Sequence, residues 1–278
     1  MKHIFILLLS VAALMACGDD NSKEAAKKAR REKFVADSLA LKVAVTPTLD
    51  CLPLYVADEE GWFERAGLSI RLYPYQAQMD QDTALLRHHV EGMTTDRERI
   101  KWLERQGAKL REVGTTNLKW QLLTNRVARI RHLLQLDEEM IAMTRYSATD
   151  MLAQKAIDSV GLKPERVFRI QVNDVGVRLG MLETGTIDAV LLPEPQATQA
   201  SMGGHPVLLD TDSLGLHLGI IVFTEEAMAD SMRQRQVEQL LSVYNMAIDS
   251  ISIKGFSHYR DLIVRCCHVK PETVDSIK

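Results

Sequence analysis

After residue 40, short apolar runs alternate along the chain with stretches whose apolar positions repeat at helical spacing. The first β-α-β pattern lies between Leu41 and Tyr73, with its helix running from about Pro53 to Trp62. The pattern recurs in the middle of the chain, with predicted strands over Met140–Thr144, Val167–Val172 and Asp188–Leu192. Because successive β-α-β units build parallel sheets covered by helices on both faces, the pattern predicts an α/β fold.

The alternation breaks between Leu110–Gly114 and Trp120–Asn125, which both resemble strands and leave no room for a helix between them. Such a break predicts a crossing from one lobe to another. Val207–Leu209 and His217–Thr224 are then expected to lead back to the first lobe, ahead of a long amphipathic helix over Arg235–Ile251. We therefore predict two doubly wound lobes joined by two crossover segments, with lobe 1 formed by residues 41–118 and 212–278 and lobe 2 by residues 119–211.

The N-terminus begins with the basic Lys2 and His3, continues with an apolar run from Ile4 to Leu14, and reaches Leu14-Met15-Ala16-Cys17. The run is too short to span a bilayer, which needs about 20 apolar residues. Together these residues resemble the signal and lipobox of bacterial lipoproteins. The resemblance implies that residues 1–16 are removed and that Cys17 carries a lipid, which anchors the chain in a membrane of the cell envelope, facing the periplasm or the exterior. A plain secretory signal with an incidental cysteine is the alternative.

Residues 17–40 are polar and highly charged, which is typical of a tether. The formal net charge of the whole chain is -3 at pH 7, so no basic excess favours nucleic acid as a partner. Beyond Cys17, the cysteines Cys51, Cys266 and Cys267 lack zinc-binding spacing, and neither a metal nor a cofactor is predicted. They are either free or packed thiols, or Cys51 pairs with one of the other two.

Several segments together resemble type 2 periplasmic solute-binding proteins of the thiamine-precursor, sulfonate, taurine and nitrate group. They are Pro53-Leu54-Tyr55-Val56-Ala57 with the following Gly61-Trp62-Phe63 and Gly67-Leu68, then Ala84-Leu85-Leu86, Thr144–Thr149, Leu182–Ala189 and Pro193-Glu194-Pro195. Their order and spacing cover most of residues 41–224. The resemblance implies a monomer of two lobes that trap a small-molecule solute in the cleft between them and hand it to an ABC permease, and through it to an ATPase.

In open α/β sheets, ligands bind at the carboxyl ends of the strands, so the loops after the strands hold the candidate ligand-binding residues. They are Thr46, Leu49 and Asp50 after the first strand; Thr94 and Thr95; Arg145, Tyr146, Ser147 and Thr149; Glu194; and, near the crossings, Trp120 and His217. The carboxylates suit a solute with N–H donors, whereas Arg145 beside a helix N-terminus suits an anion or a flat polar ring. Each also has a purely structural interpretation, since Asp50 and Ser147 are common helix-capping residues and Arg145 can face solvent.

These residues predict the lipid-anchored solute-binding component of an ABC importer, with a thiamine pyrimidine precursor, a sulfonate, taurine or nitrate as the solute. No nucleophile elbow, phosphate-binding loop or zinc-protease motif is present, so no catalytic residue is assigned and the chain is not expected to be an enzyme. Two alternatives stay open. One is an enzyme of the same fold, of the pyrimidine-synthesis or menaquinone-pathway type, and the other is an envelope sensor without a transport role.

Overall fold

The computed structural model describes residues 22–28, 30–31 and 39–277. The chain divides into two units, residues 1–40 and 41–278. In the first unit, residues 22–28 and 30–31 are helical and exposed. The predicted signal peptide and Cys17 lie outside the described residues. In the part of the chain that is described, no helix is both long and apolar enough to cross a membrane.

The second unit begins with four strands and four helices. They are β1 (Leu41–Val45), α1 (Leu52–Glu59), α2 (Trp62–Arg65), β2 (Ile70–Pro74), α3 (Gln78–Leu86), β3 (Gly92–Asp96), α4 (Arg97–Arg105) and β4 (Leu110–Thr115), with a 3₁₀ helix over Leu49–Cys51. The chain then crosses to a second sheet. This part contains β5 (Trp120–Thr124), β6 (Met140–Met143), α5 (Ala148–Ser159), β7 (Phe168–Gln171), α6 (Val175–Thr184), β8 (Ala189–Pro193), α7 (Gln196–Met202) and β9 (Val207–Asp210), with 3₁₀ helices over Leu133–Leu136 and Pro164–Arg166.

The chain returns to the first sheet through one strand and ends in helices. These elements are β10 (Gly219–Thr224), α8 (Glu225–Ala229), α9 (Ser231–Lys254), a 3₁₀ helix over Phe256–Tyr259, α10 (Arg260–Cys267) and α11 (Pro271–Val274). Of the two strands expected to lead back to the first lobe, only β10 does so. The other, β9, pairs with β5 in the second sheet, because the run from Val207 supplies that sheet with its edge strand.

The two sheets have the same strand arrangement, β2-β1-β3-β10-β4 in the first and β7-β6-β8-β5-β9 in the second. In each sheet the first three strands are parallel and the fourth runs antiparallel to both of its neighbours. The predicted α/β class is confirmed. The sheets are mixed because the chain enters or leaves each lobe through a short crossing, which reverses the direction of the strand next to it.

Each lobe has its own apolar core. The core of the second lobe is centred on Leu122, Ile141 and Leu191, which are fully or almost fully buried. In the first lobe, the two faces of the sheet carry separate clusters, one against α1 and α9 and one against α3 and α4. Gly92 begins β3 because a Cβ there would lie 2.5 Å from Cδ1 of Phe223, far inside van der Waals contact. These cores hold the carboxyl ends of the strands of both sheets around one cleft.

Candidate functional site

A cavity of about 40 Å³ lies in the cleft between the two sheets, with room for roughly three water molecules. Both lobes and the crossing between them contribute to its wall. The lining residues are Thr46, Thr48, Asp50, Gln76, Gln78, Gln81, Thr94, Thr95, Asp96, Leu118, Trp120, Asn173, Val175 and Arg178. Most of these side chains are polar, so the wall is suited to a small polar solute.

Five polar atoms of the residues on this wall are buried and have no hydrogen-bond partner in the protein. They are Oδ1 of Asp50, Oε1 of Gln81, Oγ1 of Thr95, Nε1 of Trp120 and Nε of Arg178. Buried polar atoms in proteins almost always have a partner, because an unmet donor or acceptor costs about 1–3 kcal/mol. Five such atoms around one cavity therefore indicate a place for a solute with both acceptor and donor groups.

Asp50 supplies one acceptor. Its Oδ2 accepts a hydrogen bond from Oγ1 of Thr116 at 2.8 Å, and its backbone carbonyl accepts one from the hydroxyl of Tyr244 at 2.9 Å. These bonds fix the carboxyl group while Oδ1 remains free at the cavity. Burial raises the pKa of Asp50 above its ordinary value, since a charged carboxylate loses hydration there. An N–H donor from a solute would favour the ionised form.

Arg178 supplies a guanidinium from α6. It is 1% exposed, and it donates through Nη1 to the carbonyl of Leu191 at 2.5 Å and through Nη2 to Oγ1 of Thr144 at 2.9 Å. Its Cζ lies 5.5 Å from the centre of the Trp120 ring. Burial lowers the pKa of Arg178 to about 10, partly opposed by the charge of Asp174. The guanidinium is still protonated at neutral pH and offers a buried positive charge to the cavity.

Sequence reasoning did not identify Arg178. The available signal was a single charged residue within the otherwise apolar segment Val175–Leu182 of a predicted helix. A charged side chain at such a position would be buried in the apolar core unless a polar cavity lies within its reach. The guanidinium of Arg178 reaches such a cavity.

Cys51 lies beneath the cavity, where its thiol contacts three threonine hydroxyl groups. Its Sγ is 3.0 Å from Oγ1 of Thr94, 3.4 Å from Oγ1 of Thr46 and 3.5 Å from Oγ1 of Thr48. Burial raises the pKa of this thiol to about 12, so it is neutral and a poor nucleophile. All three described cysteines are free thiols, so the alternative of a disulfide is wrong.

Several of the residues predicted from sequence lie together on the cavity wall: Thr46, Asp50, Thr94, Thr95 and Trp120. Others lie elsewhere. The amide of Leu49 donates to the carbonyl of Glu194, whose carboxylate accepts from Gln121 at 2.8 Å at a different groove. His217 is exposed, and its carbonyl accepts a hydrogen bond from Arg97. A role for these three residues in binding stays a prediction.

The loop after β6 also lies outside the cavity wall. Ser147 caps α5 by accepting from the amide of Thr149, whose hydroxyl accepts from the amide of Thr144 at 2.8 Å. Tyr146 is 54% exposed, and the Arg145 side chain is exposed as well. The predicted capping role of Ser147 is confirmed, and contact of this loop with a solute stays a prediction. Among the residues that the structure describes, no cluster of three or more His, Cys, Asp or Glu side chains is arranged to hold a metal ion.

The fold is similar to that of several solved solute-binding proteins. The alkanesulfonate-binding protein SsuA from Xanthomonas axonopodis pv. citri, bound to MOPS, has a TM-score of 0.73 and 17% identity, over 85% of this chain and 82% of that one. The periplasmic nitrate-binding protein NrtA from Synechocystis PCC 6803 has a TM-score of 0.74 and 13% identity, over 84% of this chain and 68% of that one. A Candida albicans gene product, CA3427, with the generic periplasmic binding protein fold, has a TM-score of 0.65 and 13% identity, over 85% of this chain and 79% of that one.

These similarities confirm the predicted two-lobed fold of periplasmic solute-binding proteins. No curated protein matches the chain significantly in sequence. A family model does match, over residues 48–252, which span both crossings and most of both lobes. By this match, the chain belongs to the NMT1/THI5-like family.

Proposed function

We propose that this protein is the lipid-anchored solute-binding component of an ABC importer, and that it holds a small polar organic solute in the cleft between its lobes, where the cavity lies. The observation that carries the proposal is the set of five buried, unpartnered polar atoms on one cavity wall. A binding protein leaves such atoms free for its solute and recovers their hydrogen bonds when the solute enters.

The wall favours binding over catalysis. The Cys51 thiol beneath the cavity is kept neutral by burial, and it contacts hydroxyl groups instead of a base. The wall has two carboxyl groups: Asp50 has a threonine hydroxyl as its partner, and Asp96 has only amide N–H groups as hydrogen-bond partners. The residues described on the wall include no histidine or lysine beside either group. This supports the interpretation that the protein binds its solute without transforming it.

The polar groups of the cavity wall also limit the chemical class of the solute. Asp50 can accept a hydrogen bond from an N–H group of the solute, whereas Arg178 and Trp120 can each donate an N–H to an acceptor of the solute. An aminopyrimidine of the thiamine-precursor type has both kinds of group on one flat ring, and the aromatic face of Trp120 suits such a ring. Taurine also has both kinds of group, while nitrate and simple alkanesulfonates have acceptors alone. We therefore propose an amino-bearing heterocycle as the solute that fits the wall best, and taurine as the next best.

The envelope location and the transporter are part of the same proposal. The sequence Leu14-Met15-Ala16-Cys17 supports a lipid on Cys17, and the fold of periplasmic solute-binding proteins supports delivery to a permease. A Cys17→Ala variant should leave the membrane fraction of expressing bacteria. If it stays in the membrane fraction as the wild type does, the lipid anchor is wrong, whatever the cavity binds.

The binding test is a thermal-shift screen of the full chain in detergent. The solutes are 4-amino-5-hydroxymethyl-2-methylpyrimidine, taurine, ethanesulfonate and nitrate. A solute at 100 times its dissociation constant stabilises the fold by about 2.7 kcal/mol, which is readily visible as a shift in melting temperature. Failure of every amino-bearing solute, together with binding of ethanesulfonate or nitrate, would contradict the proposed solute class. No shift with any of the four would contradict the proposal as a whole.

A matched pair of carboxylate variants locates the site. Asp50→Asn removes the charge at the cavity and should weaken binding of the active solute about tenfold or more, since a hydrogen bond to a charged group contributes about 1.5–3 kcal/mol. Glu194→Gln makes the same change at a groove outside the cavity and should leave the affinity unchanged. Calorimetric titration measures both. The reverse result would place the solute at the Glu194 groove.

A further inference from the structure

Asp96 connects the two lobes through its carboxylate. It is the last residue of β3 in the first lobe and is 0% exposed. Its Oδ1 accepts from the amide of Ala148 in the second lobe at 2.8 Å and from the amide of Arg99 at 2.8 Å. Its Oδ2 accepts from Nε2 of Gln78 at 3.0 Å. One buried carboxylate therefore caps α4 of its own lobe and reaches the other lobe at the same time.

The partner of Asp96 in the second lobe is the first residue of α5. This helix has 12 residues, and the amide groups at its start carry the partial positive charge of the helix dipole. Anionic ligands bind at such positions in many proteins. Here the negative group comes from the opposite lobe of the protein itself.

Arg99 makes a second connection beside the first. Its Nη1 donates to the carbonyl of Arg145 at 2.6 Å, across the cleft. A buried ion pair with Asp82 holds the guanidinium in place, and its Cζ lies 4.1 Å from the centre of the Trp102 ring. The Trp102 ring is parallel to that of Tyr146 in the second lobe, at 6.3 Å between ring centres. Charged and aromatic groups of α4 thus face the loop that begins α5.

We propose that Asp96 and Arg99 form a latch that stabilises the closed arrangement of the lobes, and that Asp96 supplies the negative group at the start of α5 and so excludes an anionic solute group from that position. The latch contacts involve no solute atom, so they favour closure with any solute. The exclusion rests on the proposed function. In this arrangement Asp96 is a specificity-determining residue. Its charge repels sulfonate and nitrate, and its carboxylate occupies the position at the start of α5 that such an anion would take.

Two variants break the latch from opposite lobes. Asp96→Ala removes the acceptor. Ala148→Pro removes the donor, and α5 tolerates it because a proline fits the first position of a helix and the preceding Ser147 is extended, with φ -136° and ψ 178°. Asp230→Ala is the matched control, since it removes the aspartate cap of α9 within the first lobe and touches no interlobe contact. Circular dichroism melts check that each variant is folded.

The readout is the interlobe distance in single molecules of the full chain in detergent, from dyes on unnatural amino acids at the exposed positions 106 and 155. Both latch variants should lower the ratio of closed to open molecules about tenfold, the loss expected for one hydrogen bond to a charged group. The control should keep the wild-type ratio. Wild-type distances in both latch variants would overturn the latch.

Titration with methanesulfonate tests the exclusion. Asp96→Asn keeps an oxygen for the amides of Ala148 and Arg99 but removes the charge, and it should bind methanesulfonate about tenfold more tightly than the wild type. Equal affinity, or no measurable binding to either protein, would overturn the exclusion. The latch and the proposed function fail separately: changed distances with no binding of any solute refute the function, whereas solute binding with unchanged distances refutes the latch.

Discussion

Two arginines of this protein are equally buried but differ in their partners. Arg99 and Arg178 are each 1% exposed. Arg99 forms an ion pair with the carboxylate of Asp82, which is likewise 1% exposed. Arg178 has only neutral hydrogen-bond partners, the carbonyl of Leu191 and the hydroxyl of Thr144. The pair therefore allows a comparison of the same substitution, arginine to methionine, in two electrostatic settings.

For Arg178→Met, the opposing free energies partly cancel. Burial lowers the pKa of Arg178 to about 10, and each pKa unit is worth about 1.4 kcal/mol, so keeping this side chain charged in the folded state costs about 3 kcal/mol. The cost applies at every pH below about 10, because the folded state binds the proton less tightly than the unfolded state does. Methionine removes that cost but leaves two acceptors without a donor, at about 1–3 kcal/mol each. The two unmet acceptors together cost about 2–6 kcal/mol, so the free energy of unfolding should change by between a gain of about 1 kcal/mol and a loss of about 3 kcal/mol.

For Arg99→Met, nothing offsets the loss. The substitution leaves the buried carboxylate of Asp82 without its cation, and breaking one partner of a buried pair costs about 3–5 kcal/mol. Burial already raises the pKa of Asp82 to about 6. The Arg99 variant should therefore lose clearly more stability than the Arg178 variant does.

Urea unfolding at pH 7, followed by circular dichroism, measures both variants against the wild type. Calorimetric titration with the solute that stabilises the wild type measures binding, which Arg178→Met should abolish or weaken at least tenfold. The reasoning is refuted if Arg178→Met loses as much stability as Arg99→Met does, because the guanidinium would then be needed for folding. It is also refuted if Arg178→Met binds the solute as well as the wild type.

Two further substitutions test the cavity wall and the crossing between the lobes. Burial raises the pKa of Asp50, so the contribution of this group to stability is present below its ordinary pKa near 4 and is lost as the pH rises through the raised value. In thermal melts, Asp50→Asn should therefore gain stability relative to the wild type as the pH rises from 4 to 8. A difference in stability that stays constant over this range would contradict the reasoning. A Cβ on Gly219 would lie 2.5 Å from Cβ of Leu118 in the crossing, so Gly219→Ala should lower the free energy of unfolding by about 1–3 kcal/mol, measured with urea. The control Gly180→Ala meets no atom within 4 Å and lies in α6, where alanine favours the helix, so it should not destabilise the protein.

Local patterns were enough to predict most of the elements. Apolar runs with β-branched residues marked the strands, and Ser147 marked the start of α5, because capping depends on neighbours within three residues. The cap of α4 is Asp96, whose side chain accepts from the amide of Arg99 three residues later. The prediction for Val207–Leu209 was correct as a strand but wrong in its direction toward the first lobe, because sheet membership depends on pairing with β5.

The residues on the cavity wall also divide into those that local sequence patterns predict and those that they do not. Thr46, Asp50, Thr94 and Thr95 could be predicted because they lie at the ends of strands or directly after them, and strand ends meet at one edge of a sheet. Arg178 could not, because its position on the wall depends on how α6 packs against its sheet. Short-range periodicity contains no information about that packing.

The sequence by itself determined the α/β class, the order of most elements and the residues at the strand ends. Only the tertiary structure decided which of those residues share a cavity, and that Asp96 of one lobe lies at the helix start of the other. The physical reason is distance along the chain. Asp96 and Ala148 are 52 residues apart, and their contact depends on two cores and two crossings coming together in space.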